Sequence, residues 1–95
     1  MSAPAAIGPD ARPVLPRGVR LHHDGVRGAW VLLAPERALK LDDIGLAILR
    51  EVDGKTTLAE IAARLAARYG APAAQVEADA AAFLRALWAR RMVEA

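Results

Sequence analysis

The sequence predicts a small α+β domain of winged-helix type, with a three-stranded antiparallel sheet followed by a three-helix bundle that contains a helix-turn-helix pair. Two patterns support this fold. Apolar residues at strand spacing occur in the first half of the chain, and helical spacing with matching caps occurs in the second. The 95 residues, 23 of them alanine, allow one core and favour helix.

The first predicted strand is half-buried. Apolar Val19 and Leu21 alternate with basic and polar residues between Gly18 and Asp24, which is the period-two pattern of a strand with one face on a core. Asp24 is followed by glycine, a pair that favours a tight turn. We therefore predict a strand over residues 18–24 that ends in a hairpin turn.

Two further strands follow this turn. Residues 29–33 are a continuous apolar run, so we expect them at the centre of the sheet with both faces covered at least in part. Pro35 ends this run. Residues 37–41 then alternate, with two leucines on one face and an alanine and a lysine on the other. We expect this third strand to be short and to lie at an edge.

The first helix follows the third strand directly, over about residues 43–52. Asp42 or Asp43 can cap it, and Asp53-Gly54 stops it. The residues expected on its core face are Ile44, Ala47, Ile48 and Val52. Gly45 costs about 1 kcal/mol against alanine inside a helix. A close backbone approach and a first-turn position explain this glycine equally well.

The second and third helices form the expected helix-turn-helix pair. Thr57 and Glu60 match a capping box, and Gly70 ends the second helix. Pro72 suits the first turn of the third helix, which continues to about Arg91. The predicted core stripes are Leu58, Ile61, Ala62, Leu65 and Tyr69 on the second helix and Val76, Ala80, Phe83 and Leu87 on the third, with Ala81, Leu84 and Trp88 at the stripe's edge.

The first sixteen residues differ in composition from the rest, because four of the six prolines lie there among alanines. We therefore predict a flexible tail over residues 1–16 and a folded domain over residues 17–95. The apolar segment at residues 13–16 has two alternatives to disorder: it can lie across this domain or across a second copy of it.

Composition excludes several kinds of chemistry. The chain has no cysteine, and its one serine is Ser2, so thiolate metal sites, disulfides, cysteine nucleophiles and a serine triad are excluded. His22 and His23 are adjacent on a strand, point to opposite faces and cannot share a metal ion. Asp42-Asp43 is better explained by capping. We expect no enzyme activity, no catalytic residue, no metal and no cofactor.

Charge and hydropathy argue against two kinds of partner. The net charge of +2 is too small to argue for nucleic acid, and alanine dominates the outer face of the third helix between its arginines. The chain has neither a signal-peptide pattern nor a run of the roughly 18 apolar residues that spans a bilayer. We expect a cytoplasmic protein that binds neither nucleic acid nor membrane.

An edge strand is the remaining functional feature. Its unpaired amides and carbonyls can receive an extended peptide as an added strand. Such bonds contribute about 0.5–1.5 kcal/mol each, so micromolar binding also needs an apolar wall. We expect the third helix to supply it, with Trp88 as a rigid anchor. The alternative for Trp88 is a core residue that closes the end of the domain.

Two sequence blocks resemble the PqqD family of pyrroloquinoline quinone (PQQ) biosynthesis. They read LLAPE at residues 32–36 and DGKTTLAEI at residues 53–61, and the similarity runs from about Pro13 to Val93. The resemblance implies a peptide chaperone without enzyme activity, a recognition element for ribosomally made peptides. It would bind the leader of a PqqA-type precursor peptide and present it to the radical S-adenosylmethionine (SAM) enzyme PqqE, which cross-links a glutamate to a tyrosine.

The resemblance also implies where the leader lies, namely beside the third strand and against the third helix of a peptide-recognition domain over residues 17–95. Carried over by position, the peptide-binding residues are Arg37, Ala38, Leu39, Lys40 and Leu41 on the strand and Ala81, Leu84, Arg85 and Trp88 on the helix. Acidic leader residues would meet Lys40 and Arg85. By analogy, the tail forms a homodimer, and we expect the enzyme on the exposed faces of the first two helices.

Two other interpretations stay open at this point. One is a winged-helix DNA-binding regulator, which would bind duplex DNA with steep salt dependence. The other is a leader-recognition domain for another ribosomal peptide, which shares the mechanism and differs in the product.

Overall fold

The computed structural model describes residues 7–95. Its elements are, in chain order, β1 Arg20–Asp24, β2 Ala29–Ala34, β3 Arg37–Lys40, α1 Asp43–Arg50, α2 Leu58–Tyr69 and α3 Ala73–Ala89. The strands form one antiparallel sheet in the order β1-β2-β3. The predicted fold class is confirmed, and the ends of the predicted elements are shifted by at most two residues.

The sheet has one packed face and one open face. Leu21, Leu32 and Leu39 lie side by side in the strand register and belong to or pack on the core, with Leu32 fully buried. Val31 and Leu33 point to the other side, where they are half-buried and lie outside the core cluster. The expectation that both faces of β2 are covered at least in part is confirmed, although the core lies on the Leu32 side alone.

The first turn of α1 explains the glycine inside it. The Asp42 carboxylate caps the helix by accepting a hydrogen bond from the Gly45 amide at 2.7 Å. A Cβ added to Gly45 would lie 3.1 Å from the Phe83 ring of α3. Both explanations offered for Gly45 therefore apply, because the first turn makes glycine inexpensive and the close approach of α3 requires it.

The start of α2 has all its first-turn donors satisfied. Thr57 and Glu60 form the predicted capping box, in which the Glu60 amide donates to the Thr57 hydroxyl at 3.1 Å and the Glu60 carboxylate accepts from the Thr57 amide at 2.9 Å. The next two amides, those of Leu58 and Ala59, donate to backbone carbonyls of residues 11 and 9. The N-terminal segment thus completes the cap of α2.

Residues 7–16 pack on the domain. Ile7 and Pro13 are buried, and the Pro13 carbonyl accepts from the Gly54 amide at 2.8 Å. Val14 and Glu94 exchange two backbone hydrogen bonds of 2.8 and 2.9 Å, which tie the segment to the chain end. The predicted flexible tail is wrong over residues 7–16. Proline has no N–H group, but the carbonyls of Pro9 and Pro13 still accept hydrogen bonds that hold the segment on the domain. Its first six residues lie outside the described part of the chain.

The helices pack along a seam, the line of buried residues between them, and its members differ from the predicted stripes. On α3 the buried residues are Ala80, Leu84 and Leu87, so Leu84 lies at the centre of the seam. Ile44 and Tyr69, predicted to face the core, are exposed instead, at 59% and 56%. Within residues 7–95, none of the helices has the length and apolar character needed to span a bilayer.

Candidate functional site

The free edge of β3 is the principal candidate site. The Leu41 amide donates to the Trp30 carbonyl at 3.0 Å, so this pair is hydrogen-bonded. Because bonded and non-bonded pairs alternate along an antiparallel ladder, Leu39 and Arg37 also direct their backbone groups toward β2. The N–H and C=O groups of Ala38 and Lys40 therefore point away from the sheet. No other strand of residues 7–95 pairs with this edge.

The side chains of β3 divide between the two faces of the sheet. Leu39 is half-buried and Leu41 buried on the packed side, which confirms the predicted alternation. Ala38 and Lys40 are exposed on the open side, where they line a shallow depression with Val31 and Leu33. A strand added beside β3 would thus meet apolar side chains on one face and the Lys40 ammonium on the other.

The residues predicted to form the helix wall differ in burial. Leu84 is 0% exposed, so it is a core residue and not part of a binding wall. The apolar wheel of α3 could not distinguish the centre of the seam from its edge, because alanines surround the larger residues. Ala81 and Trp88 are half-buried beside the core, and Arg85 is exposed.

Trp88 satisfies part of each interpretation offered for it. Its side chain packs on the hydrophobic core and also lines an open depression with Arg91, Val93, Glu94 and Ala95. Val93 is fully buried and forms the floor of this region. Trp88 therefore presents an accessible aromatic surface next to the chain end.

The two histidines lie on opposite faces of the sheet, as their adjacency predicts. His22 lines the open-face depression, whereas the His23 ring lies 5.1 Å from the Trp30 ring. The Arg50 guanidinium lies over the Trp30 ring, 5.0 Å from the ring centroid, in a cation–π contact. Within residues 7–95 no three histidine, aspartate or glutamate residues are grouped so that they could hold a metal ion.

Asp53 and Glu60, the two carboxylates with a lowered pKa, lie in the loop before α2 and in the cap of α2. The Thr56 amide, the Lys55 amide and the Thr56 hydroxyl hold the pKa of Asp53 below its ordinary value of 3.8. The amide and hydroxyl of Thr57 hold the pKa of Glu60 below 4.5. Glu60 stabilises the start of α2 and Asp53 stabilises the loop that precedes it, and neither carboxylate bonds to a residue of β3.

Comparison with known proteins assigns the chain to a family. The sequence model of the family described as "Coenzyme PQQ synthesis protein D (PqqD)" matches residues 29–93, which include β2, β3 and all three helices. The chain belongs to the PqqD family. The resemblance noted in the LLAPE and DGKTTLAEI blocks is thereby confirmed.

Relatives of this PqqD-family chain cover nearly its whole length. A protein named "PqqA binding protein" from Xanthomonas axonopodis pv. citri (strain 306) is 47% identical over 89 residues, which are 94% of this chain and 97% of the relative. A protein of the same name from Rhizobium meliloti (strain 1021) is 50% identical over 80 residues, which are 84% of this chain and 82% of the relative.

Two solved structures share the fold. The solution NMR structure of the PqqD truncation of Methylobacterium extorquens PqqCD, described as a functional, stand-alone recognition element for ribosomally synthesized and post-translationally modified peptides, superposes with a TM-score of 0.83 at 46% identity. It covers 95% of this chain and 96% of its own. The crystal structure of PqqD from Xanthomonas campestris gives 0.61 at 44% identity, covering 94% and 99%. The chain therefore has the fold of PqqD-family proteins.

Proposed function

We propose that the chain is a peptide chaperone without enzyme activity. It binds the leader of a PqqA-type precursor peptide as a strand added to β3 and presents that peptide to a PqqE-type radical SAM enzyme. The observation that carries this proposal is the outward direction of the backbone groups of Ala38 and Lys40. The names of the Xanthomonas and Rhizobium relatives support the identity of the peptide.

The backbone ladder alone is too short for tight binding. Ala38 and Lys40 each offer one donor and one acceptor, and bonds of about 0.5–1.5 kcal/mol give about 2–6 kcal/mol in total. Micromolar affinity needs about 8 kcal/mol, so side-chain burial supplies the difference. Arg37, Leu39 and Leu41 hold the strand to β2, while Ala81 and Trp88 form the apolar wall of the groove.

Charge sets the register of the leader. The Lys40 ammonium is exposed on the open face of the sheet, beside the outward-facing side chains of an added strand. Arg85 is exposed on α3. A carboxylate of the leader opposite Lys40, and a second near Arg85, would each add a solvent-screened attraction of up to about 1 kcal/mol. Acidic side chains at these two leader positions therefore favour one register over its neighbours.

The N-terminal segment is part of the recognition domain and offers a route to a homodimer. Its backbone bonds to Leu58, Ala59 and Glu94 join it to its own domain. The same bonds made to a second copy would give a dimer with exchanged segments, at little cost because no contact is lost. Light scattering over a range of protein concentrations would detect this dimer, and a monomeric mass throughout would refute it.

Calorimetric titration with a synthetic PqqA-type precursor peptide tests the proposal. We expect micromolar or tighter binding, no binding of a scrambled peptide of equal composition, and little dependence on salt. Lys40→Pro, which removes an outward amide, should weaken binding at least tenfold, whereas the matched control Lys40→Ala keeps the amide and most of the affinity.

The possible results separate the interpretations. A folded chain that fails to bind the precursor peptide would refute the proposal. Selective binding of another ribosomal leader would mean that the chain serves a different peptide product by the same binding mechanism. Steeply salt-dependent binding to duplex DNA would instead support a DNA-binding regulator.

A further inference from the structure

The open face of the sheet carries an apolar patch that reaches the β3 edge. The register places Leu33 of β2 beside Ala38 of β3, and Val31 beside Lys40. Leu33 and Val31 are half-buried and lie outside the core cluster, so the fold leaves part of their apolar surface in water. These four residues line a shallow depression of about 520 Å³, whose other lining residues are His22, Asp24, Arg27 and Ala29. Because Ala38 and Lys40 also carry the outward backbone groups, the depression is continuous with the binding edge.

The pleat of the sheet determines which leader side chains lie over this depression. A residue of an added strand has its side chain on the same face as the residue directly opposite. The leader residues opposite Ala38 and Lys40 therefore point over the depression, and the residue between them, opposite Leu39, points to the packed side. This result is the same for a parallel and an antiparallel leader. The depression thus receives two leader side chains that are two residues apart in the peptide.

The position opposite Lys40 favours an acidic side chain. Within residues 7–95 the Lys40 ammonium has no ion-pair or hydrogen-bond partner. Among the same residues, the one carboxylate that lines the depression is that of Asp24, which lies on β1, two strands from β3. It lies 3.9 Å from the Arg27 Nε atom and accepts the amides of Val26 and Arg27 at 3.1 and 3.3 Å. Asp24 is thus occupied within its own turn, and a leader carboxylate is the partner that Lys40 lacks.

The position opposite Ala38 favours a large apolar side chain. Ala38 is small and exposed, and the larger Leu33 side chain lies beside it on the next strand. Neighbouring strands lie about 4.8 Å apart, so a leader side chain must extend across Ala38 to contact Leu33. A leucine or phenylalanine side chain does so and removes apolar surface of both residues from water, whereas an alanine is too short. This row of the sheet therefore selects for size as well as for hydrophobicity.

We propose that the depression on the open face is a specificity subsite for the leader peptide. It binds an acidic leader residue opposite Lys40 and a large apolar leader residue opposite Ala38, two positions away in the peptide. The residues of the chain that determine this specificity are Lys40, Ala38 and Leu33. The inference rests on the proposed function, and it adds that the leader is recognised on both faces of the added strand.

Calorimetric titration of the whole chain with a PqqA-type precursor peptide, and with single-alanine variants of that peptide, tests the subsite. We expect affinity to fall at one acidic and one large apolar leader position that are two residues apart. Lys40→Ala should weaken binding of the parent peptide about threefold and make affinity insensitive to the acidic position. Leu33→Thr keeps strand propensity, and it should weaken binding about tenfold and make affinity insensitive to the apolar position.

A further substitution keeps the test independent of the stability of β2. Ala38→Phe fills the depression from an exposed position, so it should exclude the apolar leader side chain and weaken binding about tenfold. His22→Phe is the matched control, because it adds the same side chain on the same face at three strand spacings from the leader, roughly 14 Å. At this distance the control should leave the affinity within about twofold of the wild-type value.

The outcomes separate the subsite from the proposed function. A wild-type chain that binds the peptide without an acidic and apolar pair at this spacing would overturn the subsite and leave strand addition intact. Wild-type affinity in both Ala38→Phe and Leu33→Thr would have the same meaning. An equal loss in His22→Phe would also overturn the subsite, because the effect would then not be local to the edge. A wild-type chain that does not bind the peptide would refute the proposed function itself.

Discussion

The N-terminal segment and strand β3 use their backbone groups in opposite ways. In residues 9–14 the carbonyls of Pro9, Ala11 and Pro13 accept amides of the domain, and Val14 pairs with Glu94. In β3 the groups of Arg37 and Leu39 bond to β2, while those of Ala38 and Lys40 point outward. Backbone groups thus stabilise the fold in one place and leave a binding edge in the other.

Proline explains much of this difference. Pro9 and Pro13 have no N–H group, so they offer acceptors alone, and the first turn of α2 presents donors that need acceptors. Strand β3 contains no proline and so presents both donors and acceptors at its open edge. Extended backbone is therefore available for a partner only where both kinds of group are left unpaired.

Removing residues 1–16 should have the largest effect on stability. The deletion exposes the core around Ile7 and Pro13 and removes six backbone hydrogen bonds between the described part of the segment and the domain. We expect a loss of roughly 4 kcal/mol or more in the free energy of unfolding, measured by urea denaturation. The exposed-site control Val26→Ala should change it by less than about 0.5 kcal/mol. An unchanged midpoint in the truncated chain would show that the segment contributes nothing.

Two proline substitutions in β3 should have opposite effects. Leu39→Pro removes an amide that bonds to β2 and should cost about 2 kcal/mol or more in stability. Lys40→Pro removes an outward amide and should change stability by less than about 1 kcal/mol while weakening peptide binding at least tenfold. Denaturation and calorimetry on both variants distinguish them. Equal destabilisation would mean that the assignment of inward and outward residues is wrong.

The cap of α2 should show an intermediate effect. Thr57→Ala removes the hydroxyl that accepts the Glu60 amide, and N-cap losses of this kind cost about 1 kcal/mol. Thr57→Ser keeps the acceptor and should be nearly neutral, by thermal or urea unfolding. Since Pro9 and Ala11 cap the neighbouring amides, a loss several times larger would indicate that the segment detaches with the cap.

The smallest expected effect is on the free energy of unfolding at acid pH. The folded-state pKa values of Asp53 and Glu60 are lowered, so both carboxylates stabilise the fold above their ordinary values of 3.8 and 4.5. This contribution is lost as the pH falls below these values through the lowered folded pKa. Asp53→Asn and Glu60→Gln should therefore flatten the decline of stability below about pH 4.5 in a pH series of unfolding curves. If stability in these variants declines below about pH 4.5 as steeply as in the wild type, the two carboxylates do not contribute to the acid dependence of stability.

Local signals predicted the elements well. Turn pairs, alternation and caps act within a few residues, so the Thr57–Glu60 capping box and the Gly70 stop could be identified directly, and the cap of α1 could be narrowed to Asp42 or Asp43. The alternation in β3 also predicted which side chains face the core. The family motifs then indicated the edge as the site, although the sequence alone could not say which two amides point outward.

Long-range packing decided what local signals could not. The docking of residues 7–16 depends on donors some forty to eighty residues away, and composition alone resembled a flexible tail. The position of Leu84 at the centre of the seam depends on how α3 rotates against α2, which an alanine-rich helix leaves undetermined. Ile44 and Tyr69 keep the correct helical spacing and lie beyond the packed seam, where both line an apolar cavity between the three helices.

Local sequence patterns were sufficient to predict the three strands, the three helices and the family, because caps, turns and alternation are short-range and chemically specific. Which backbone groups remain unpaired at the sheet edge, and which apolar side chains stay in water, became known from the packed fold. Both depend on pairing and packing between segments that are distant in the chain, and no local pattern encodes the rotation or register of such contacts.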